Sequence, residues 1–145
     1  MNILVVNGPN LNLLGLREPE IYGRASYQDL KDAIVAHAQK SGHHVEIHQS
    51  NHEGGIIDVI HDNFRRFDCL IINPGAYSHY SYAIYDCLKA VAIPAVEVHL
   101  SNIMERERFR RTLVTKDACI AMISGKGIAG YLEAIDLLTK GDKHP

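Results

Sequence analysis

The sequence predicts a doubly wound α/β domain, a parallel sheet of five strands with helices on both faces. Three observations carry that expectation. Short β-branched runs alternate along the chain with stretches of helical spacing, the pattern of parallel strands joined by right-handed crossovers. Ile3 to Val6 and Cys69 to Ile72 are apolar at successive positions, as strands covered on both faces are. A chain of 145 residues, 46% hydrophobic and 22% charged, has the composition of one globular domain and not of a disordered or repetitive one.

The elements follow in order. Ile3 to Val6 forms the first strand and stops at Asn7-Gly8-Pro9-Asn10. Gly8 to Arg24 has no regular period and is punctuated by Gly15, Pro19 and Gly23; so long an irregular segment in a compact domain points to a functional lid. Ser26 is placed to cap a helix whose stripe is Leu30, Ile34, Val35 and Ala38, with Gly42 as its stop. Val45 and Ile47 alternate with Glu46 and His48 in a second strand that ends near Asn51. Ile56, Ile57, Val59, Ile60 and Phe64 keep helical spacing, and the strand Cys69 to Ile72 ends at Asn73-Pro74-Gly75. A helix through Tyr82, Ala83, Tyr85, Leu88 and Ala90 leads to the strand Ala95 to His99, opened by Pro94. The charged stretch Met104 to Arg111, a strand Ala118 to Ile123 and a helix through Leu132, Ile135, Leu137 and Leu138 complete the chain. The whole reads as one flavodoxin-like domain, residues 1–145 with a flexible tail at 141–145, and strand order 2-1-3-4-5.

Composition narrows the function. Lys and Arg number 15 against 17 Asp and Glu, a net charge of −2, so no overall positive field favours nucleic acid or an anionic membrane. No run approaches the 18 apolar residues of a membrane span, and Met1 to Val6 lacks the basic flank of a signal peptide. Cys69, Cys87 and Cys119 are odd in number and far apart; they read as buried small hydrophobes in a reducing, cytoplasmic setting. Gly125-Lys126-Gly127-Ile128-Ala129-Gly130 matches the dinucleotide pattern GxGxxG, but no second βα unit follows it, so a tight, closely packed strand-to-helix turn is expected.

In a sheet of this order ligands bind beyond the carboxyl ends of the strands, between the first and the third. Asn7 to Asn10 and Asn73 to Tyr77 lie at those ends, and the fourth strand ends at Glu97-Val98-His99. The period of two puts Glu97 and His99 on one face, where a carboxylate fixes the imidazole tautomer. Of the nine His, only His79 and His99 fall at strand-end loops facing the switch point. His43, His44 and His48 read as solvated strand-edge residues without the further ligands of a metal site. His37, His61 and His144 read as surface, and His52 as a loop residue placed to cap a backbone group. Tyr22 shares the irregular segment with Arg17 and Arg24; a tyrosine serves as a base only when its pKa falls well below about 10, and nearby guanidinium groups supply that shift.

Taken together, Gly8-Pro9-Asn10-Leu11-Asn12-Leu13-Leu14-Gly15, Arg17-Glu18-Pro19, Tyr22-Gly23, Gln49-Ser50-Asn51-His52-Glu53-Gly54, Ile72-Asn73-Pro74-Gly75-Ala76-Tyr77 and Glu97-Val98-His99-Leu100-Ser101-Asn102 closely resemble the type II 3-dehydroquinate dehydratases. The resemblance implies a lyase that removes water from 3-dehydroquinate to give 3-dehydroshikimate through an enolate, with no metal or organic cofactor. The reaction is shared by aromatic amino-acid biosynthesis and quinate catabolism. By the same resemblance Tyr22 takes the proton next to the ketone, Arg17 lowers its pKa and stabilises developing charge, and Asn10 holds the enolate through a water. His99, oriented by Glu97, protonates the departing hydroxyl. Asn73 and the N–H groups of Leu100 and Ser101 hold the substrate carboxylate, while His79 and Arg110 bind ring hydroxyls. Asp86 serves a neighbouring subunit's site in a homo-oligomer, a dodecamer of four trimers.

The chain departs from the family pattern at Ser78, Tyr80, Tyr82 and Tyr85, which make the region around Asp86 rich in Tyr. Leu113 to Ile123 resembles it loosely, and Gly125, Gly127, Gly130 and Tyr131 return to register. A non-catalytic module that binds a small anion on the same rim is the alternative. Loss of Arg17, Tyr22 or His99 would mark such a module, and all three are present.

Overall fold

The computed structural model describes residues 1–16, 18–22 and 24–141. Its strands are β1 (Asn2–Asn7), β2 (His44–Gln49), β3 (Cys69–Asn73), β4 (Ala95–His99) and β5 (Ala121–Ser124), and its helices are α1 (Pro19–Tyr22), α2 (Tyr27–Lys40), α3 (Glu53–Asn63), α4 (Tyr82–Val91) and α5 (Ile128–Thr139). All strand pairs are parallel, in the order β2-β1-β3-β4-β5, so the predicted architecture and switch point are those of the molecule.

The strand period of two divides the core into two layers. Ile3, Val5, Ile71, Val96 and Val98 face Leu30 and Ile34 of α2 and Tyr131 and Ile135 of α5. Leu4, Val6, Leu70 and Ile72 face Ile56 and Ile60 of α3 and Ile84 and Leu88 of α4. Each large aliphatic side chain taken wholly out of water in these layers contributes roughly 1.5–3 kcal/mol. Helix ends are set locally. Ser26 Oγ accepts from the Asp29 N–H at 3.0 Å while the Asp29 carboxylate accepts from the Ser26 N–H at 2.9 Å, a reciprocal cap at the start of α2. Ser81 does the same work for α4, accepting from the Ile84 N–H at 3.0 Å.

Several expectations need correction. The segment Gly8 to Arg24 is not wholly irregular: Leu11–Leu13 forms a 3-10 turn and Pro19–Tyr22 a short helix. The fifth strand starts three residues later than expected, because Thr115–Ala118 forms a 3-10 turn whose Ala118 and Cys119 pack on the α3 and α4 layer before the chain joins the sheet. His43 is buried, not solvated. Its N–H donates to the Ala38 carbonyl at 3.0 Å, and its Nδ1 lies 3.0 Å from the amino group of Met1, which β1 brings alongside. His52 precedes α3 but its side chain makes no capping bond. Cys69 and Cys87 are buried as expected and Cys119 is half-buried; burial pushes their thiols up to about 11, 11 and 12, away from thiolate chemistry.

The GxGxxG segment is the expected turn. Gly125 and Gly127 adopt positive φ, and a Cβ on Gly130 would meet Ile123 and Val98 at 3.4 Å, so the start of α5 lies against the sheet. At the opposite corner, the Gly8 N–H donates to the Asn73 carbonyl at 2.7 Å. A Cβ on Gly8 would stand 2.5 Å from the Pro74 carbonyl oxygen, which is backbone and has no room to yield. Gly8→Ala is therefore expected to lower the unfolding free energy by about 1–3 kcal/mol in urea melts, and a midpoint equal to that of the unaltered protein would show that the two loops are not locked together.

Candidate active site

The carboxyl ends of β1, β3 and β4 open into one cleft of about 620 Å³, its mouth included, lined by Asn10, Asn73, His79, His99, Leu100, Ser101, Arg106 and Arg110 among others. The core of the cleft is a buried acid–base pair. Glu97 and His99 lie two residues apart on β4, so both side chains leave the sheet on the same side. The His99 Nε2–H donates to Glu97 Oε2 at 2.8 Å, and Glu97 is 0% and His99 5% exposed. The other carboxylate oxygen, Oε1, accepts a short hydrogen bond from the hydroxyl of Thr115, itself fully buried. Both oxygens of a buried carboxylate are thereby satisfied, which is what makes its burial tolerable. With Nε2 committed to Glu97, Nδ1 is the His99 ring nitrogen left for another partner.

Asn73 ends β3 opposite Asn7 of β1. Its Oδ1 accepts from the Gly75 N–H at 3.1 Å and its Nδ2 donates to the Tyr131 hydroxyl at 2.9 Å, while Tyr131 donates to Asn7 Oδ1 at 2.7 Å. Leu100 and Ser101 follow β4. Their carbonyls accept from the Gly127 N–H at 3.0 Å and the Gly125 N–H at 3.1 Å, which turns the carbonyls toward the glycine loop.

Asn10 has a left-handed backbone, φ 70°, and its N–H donates to Asn51 Oδ1 at 3.1 Å. Gln49 Nε2 donates to the same Asn51 oxygen at 2.9 Å, so the loop after β1 is tied to the end of β2. The His79 Nδ1–H donates to the Thr112 carbonyl at 2.9 Å and its ring meets Phe109 edge-on, with centroids 6.0 Å apart. Burial lowers the His79 pKa below 6.5, outweighing the bond to Thr112. The neutral ring then keeps Nε2 as an acceptor. Arg110 stacks on Phe109, 4.8 Å from the ring centroid, and donates through Nε to Glu107 at 2.6 Å. A hydrogen bond from its own backbone N–H, followed by the one from Arg110, lowers the Glu107 pKa.

The structure thus gathers Asn10, Asn73, His79, Glu97, His99, Leu100, Ser101 and Arg110. Asp86 is not among them. It is exposed on α4, in a shallow groove with Ile57 and His61 of α3. Arg17, the side chain of Tyr22 and Gly23 lie outside the described residues; the backbone of Tyr22 closes α1, within the expected lid. The expected tail lies outside them too, Gly141 excepted.

A family model described as Dehydroquinase class II matches residues 1–139. The chain belongs to the class II dehydroquinases. It is 58% identical over 134 residues to a protein of Caldicellulosiruptor bescii named 3-dehydroquinate dehydratase, covering 92% of each chain. To a protein of that name from Thermotoga maritima it is 54% identical over 140 residues, covering 97% of this chain and 96% of the relative. Among solved structures, the type II dehydroquinase of Butyrivibrio crossotus superposes with a TM-score of 0.94 at 50% identity, over 96% of this chain and 97% of that one. That of Propionibacterium acnes gives 0.92 at 40% identity, over 96% of both.

Sequence reasoning missed Thr115, Tyr131 and Arg106 as parts of this dehydroquinase site. Thr115 and Tyr131 reach it only by tertiary contact, and no local period marks them. Arg106 lines the cleft and lies 3.4 Å from Ser101 Oγ and 3.7 and 3.8 Å from carboxylate oxygens of Glu18 and Glu107; the clustering of charge from Met104 to Arg111 was its only signal. Among the described residues, the hydroxyl of Ser78 is buried without a hydrogen-bond partner.

Two outcomes follow from this geometry. Thr115→Val removes the donor to Glu97 Oε1 and is expected to cost about 1–3 kcal/mol of stability in urea melts, whereas Thr115→Ser retains it; equal stability of all three proteins would rule out the bond as a support. His79 titrates lower in the folded chain than its ordinary 6.5, so the fold favours the neutral ring. Its contribution to stability is full above about pH 6.5 and is lost as pH falls through the folded value. Proton NMR of the His79 ring is expected to give a midpoint below 6.5, and one above it would reverse the sign.

Proposed function

We infer that this chain is a hydro-lyase that dehydrates 3-dehydroquinate to 3-dehydroshikimate, a step of the shikimate pathway. Family membership and the relatives named for this reaction support that activity. The observation that carries the chemistry is the buried Glu97–His99 pair opening into the same cleft as Asn73, Leu100 and Ser101. A general acid and an anion-holding corner are what removal of a hydroxyl from a hydroxy-keto acid requires.

In this reading Tyr22, its pKa lowered by Arg17, takes the proton from the carbon beside the ketone. The electron pair moves onto the ketone oxygen, and Asn10 holds the enolate through a water, as preorganised donors do best. The enolate then collapses and the hydroxyl departs with a proton from His99 as water. Glu97 keeps the imidazole in place during transfer. Asn73 and the N–H groups of Leu100 and Ser101 hold the carboxylate, and neutral His79 and the stacked Arg110 bind ring hydroxyls.

Asp86 lies outside this chain's own cleft, on an exposed face that carries Tyr82 with 70% of its surface in water and lies close to Tyr80 with 59%. That placement suits delivery of Asp86 to a neighbouring copy, and we assign the chain to a homo-oligomer, a dodecamer of four trimers, working in the cytoplasm. Among the described residues no helix is long and apolar enough to cross a membrane.

The decisive assay follows the absorbance of the conjugated enone when 3-dehydroquinate is added. Wild-type protein is expected to generate it. Tyr22→Phe and His99→Ala are each expected to lose about 10²-fold or more of kcat with substrate binding largely kept. Folded wild-type protein that yields no enone would sink the reading.

A further inference from the structure

An asparagine at a carboxylate-binding corner is useful in only one of its two orientations, because its amide end donates and its carbonyl end repels. In this chain both ends of the Asn73 amide are engaged, one of them from behind. The Tyr131 hydroxyl has a single hydrogen, and that hydrogen is given to Asn7 Oδ1 at 2.7 Å. Only lone pairs are left to face Asn73, so Asn73 presents its NH2 group there, at 2.9 Å. The carbonyl end then meets the Gly75 N–H at 3.1 Å. Asn7 in turn donates through Nδ2 to the Tyr27 hydroxyl at 3.4 Å. Reversing Asn73 would set its oxygen against the lone pairs of Tyr131 and its NH2 against the Gly75 N–H, losing both bonds in a buried place.

Tyr131 is 0% exposed and forms no part of the cleft lining. Burial raises its hydroxyl above the ordinary phenol range, so it stays protonated and passes polarity along the row. We propose that Tyr131 is a positioning residue that fixes Asn73 with its second N–H toward the substrate, so that this corner of the cleft selects a carboxylate over a neutral group of the same shape. The proposal rests on the dehydratase reading for the ligand's identity, while the orientation of Asn73 rests on the geometry alone.

The test compares wild type with Tyr131→Phe. The variant is expected to show a KM for 3-dehydroquinate raised about tenfold with kcat within about threefold, the mark of lost ground-state binding. Competitive inhibition by quinate and by quinamide supplies the readout that a merely structural role would not move: the wild-type preference for the carboxylate is expected to shrink about tenfold, where general loosening would weaken both ligands alike. Should Tyr131→Phe fail to fold, Asn7→Leu combined with Tyr131→Phe replaces both polar partners by apolar ones and serves in its place. Either variant, folded, with KM and the quinate-to-quinamide ratio within twofold of wild type would overturn the proposal. In unaltered protein, NMR cross-peaks are expected from the Asn73 side-chain NH2 to the Tyr131 ring, and cross-peaks to the Gly75 N–H in their place would overturn it without any variant. Absence of turnover by wild type would instead count against the dehydratase reading, and the NMR result would still decide the orientation.

Discussion

Glu97 has no exposed surface and sits in the middle of β4, hydrogen-bonded in register between β3 and β5. A carboxylate in such a place is tolerable only with donors for both oxygens, and that requirement shapes much of what surrounds it. His99 supplies one donor from two residues along the same strand. The other comes from Thr115, and reaching it carries the chain across the α4 side of the sheet before β5 begins. The shortened fifth strand, the seating of Ala118 and Cys119 on the α3 and α4 layer and the fixed tautomer of His99 are all parts of one solution to a buried charge.

The other half of the site is built on the opposite side of the sheet. Asn7 and Asn73 continue the series of Ile3, Val5 and Ile71 toward α2 and α5, and meet Tyr131. Glu97 and His99 lie out of step with Val96 and Val98 and so face the other way. At the carboxyl rim the two faces meet, so one cleft is lined by Asn73 from one side and by His99 from the other. Both depend on polar groups that never touch the cleft: Tyr131 behind Asn73 and Thr115 behind Glu97. Polar networks of this kind are rigid when complete, because each member left unpaired would be costly.

Much of the fold was legible because its signals are local. Alternating runs gave the strand and helix order, and Ser26 shows why a helix start is readable: a cap acts within one turn. Where reading failed, a distant contact decided. His43 follows a helix stop and precedes a polar strand, but the N-terminal strand brings the Met1 amino group onto it. The apolar character of Ala118 and Cys119 serves a helix layer, not the sheet, a distinction that a short apolar run cannot express.

By itself, the sequence determined the doubly wound sheet, its switch point and the placement of Glu97 and His99 on one face, because periods of two and 3.6 are properties of neighbouring residues. Its motifs also determined the family. The tertiary structure alone decided that Thr115 completes the carboxylate's bonds and that Tyr131 on α5 hydrogen-bonds an asparagine on β3. Those pairings join residues 18 and 58 positions apart, and only closing the sheet and seating the helices on it brings them within hydrogen-bond reach.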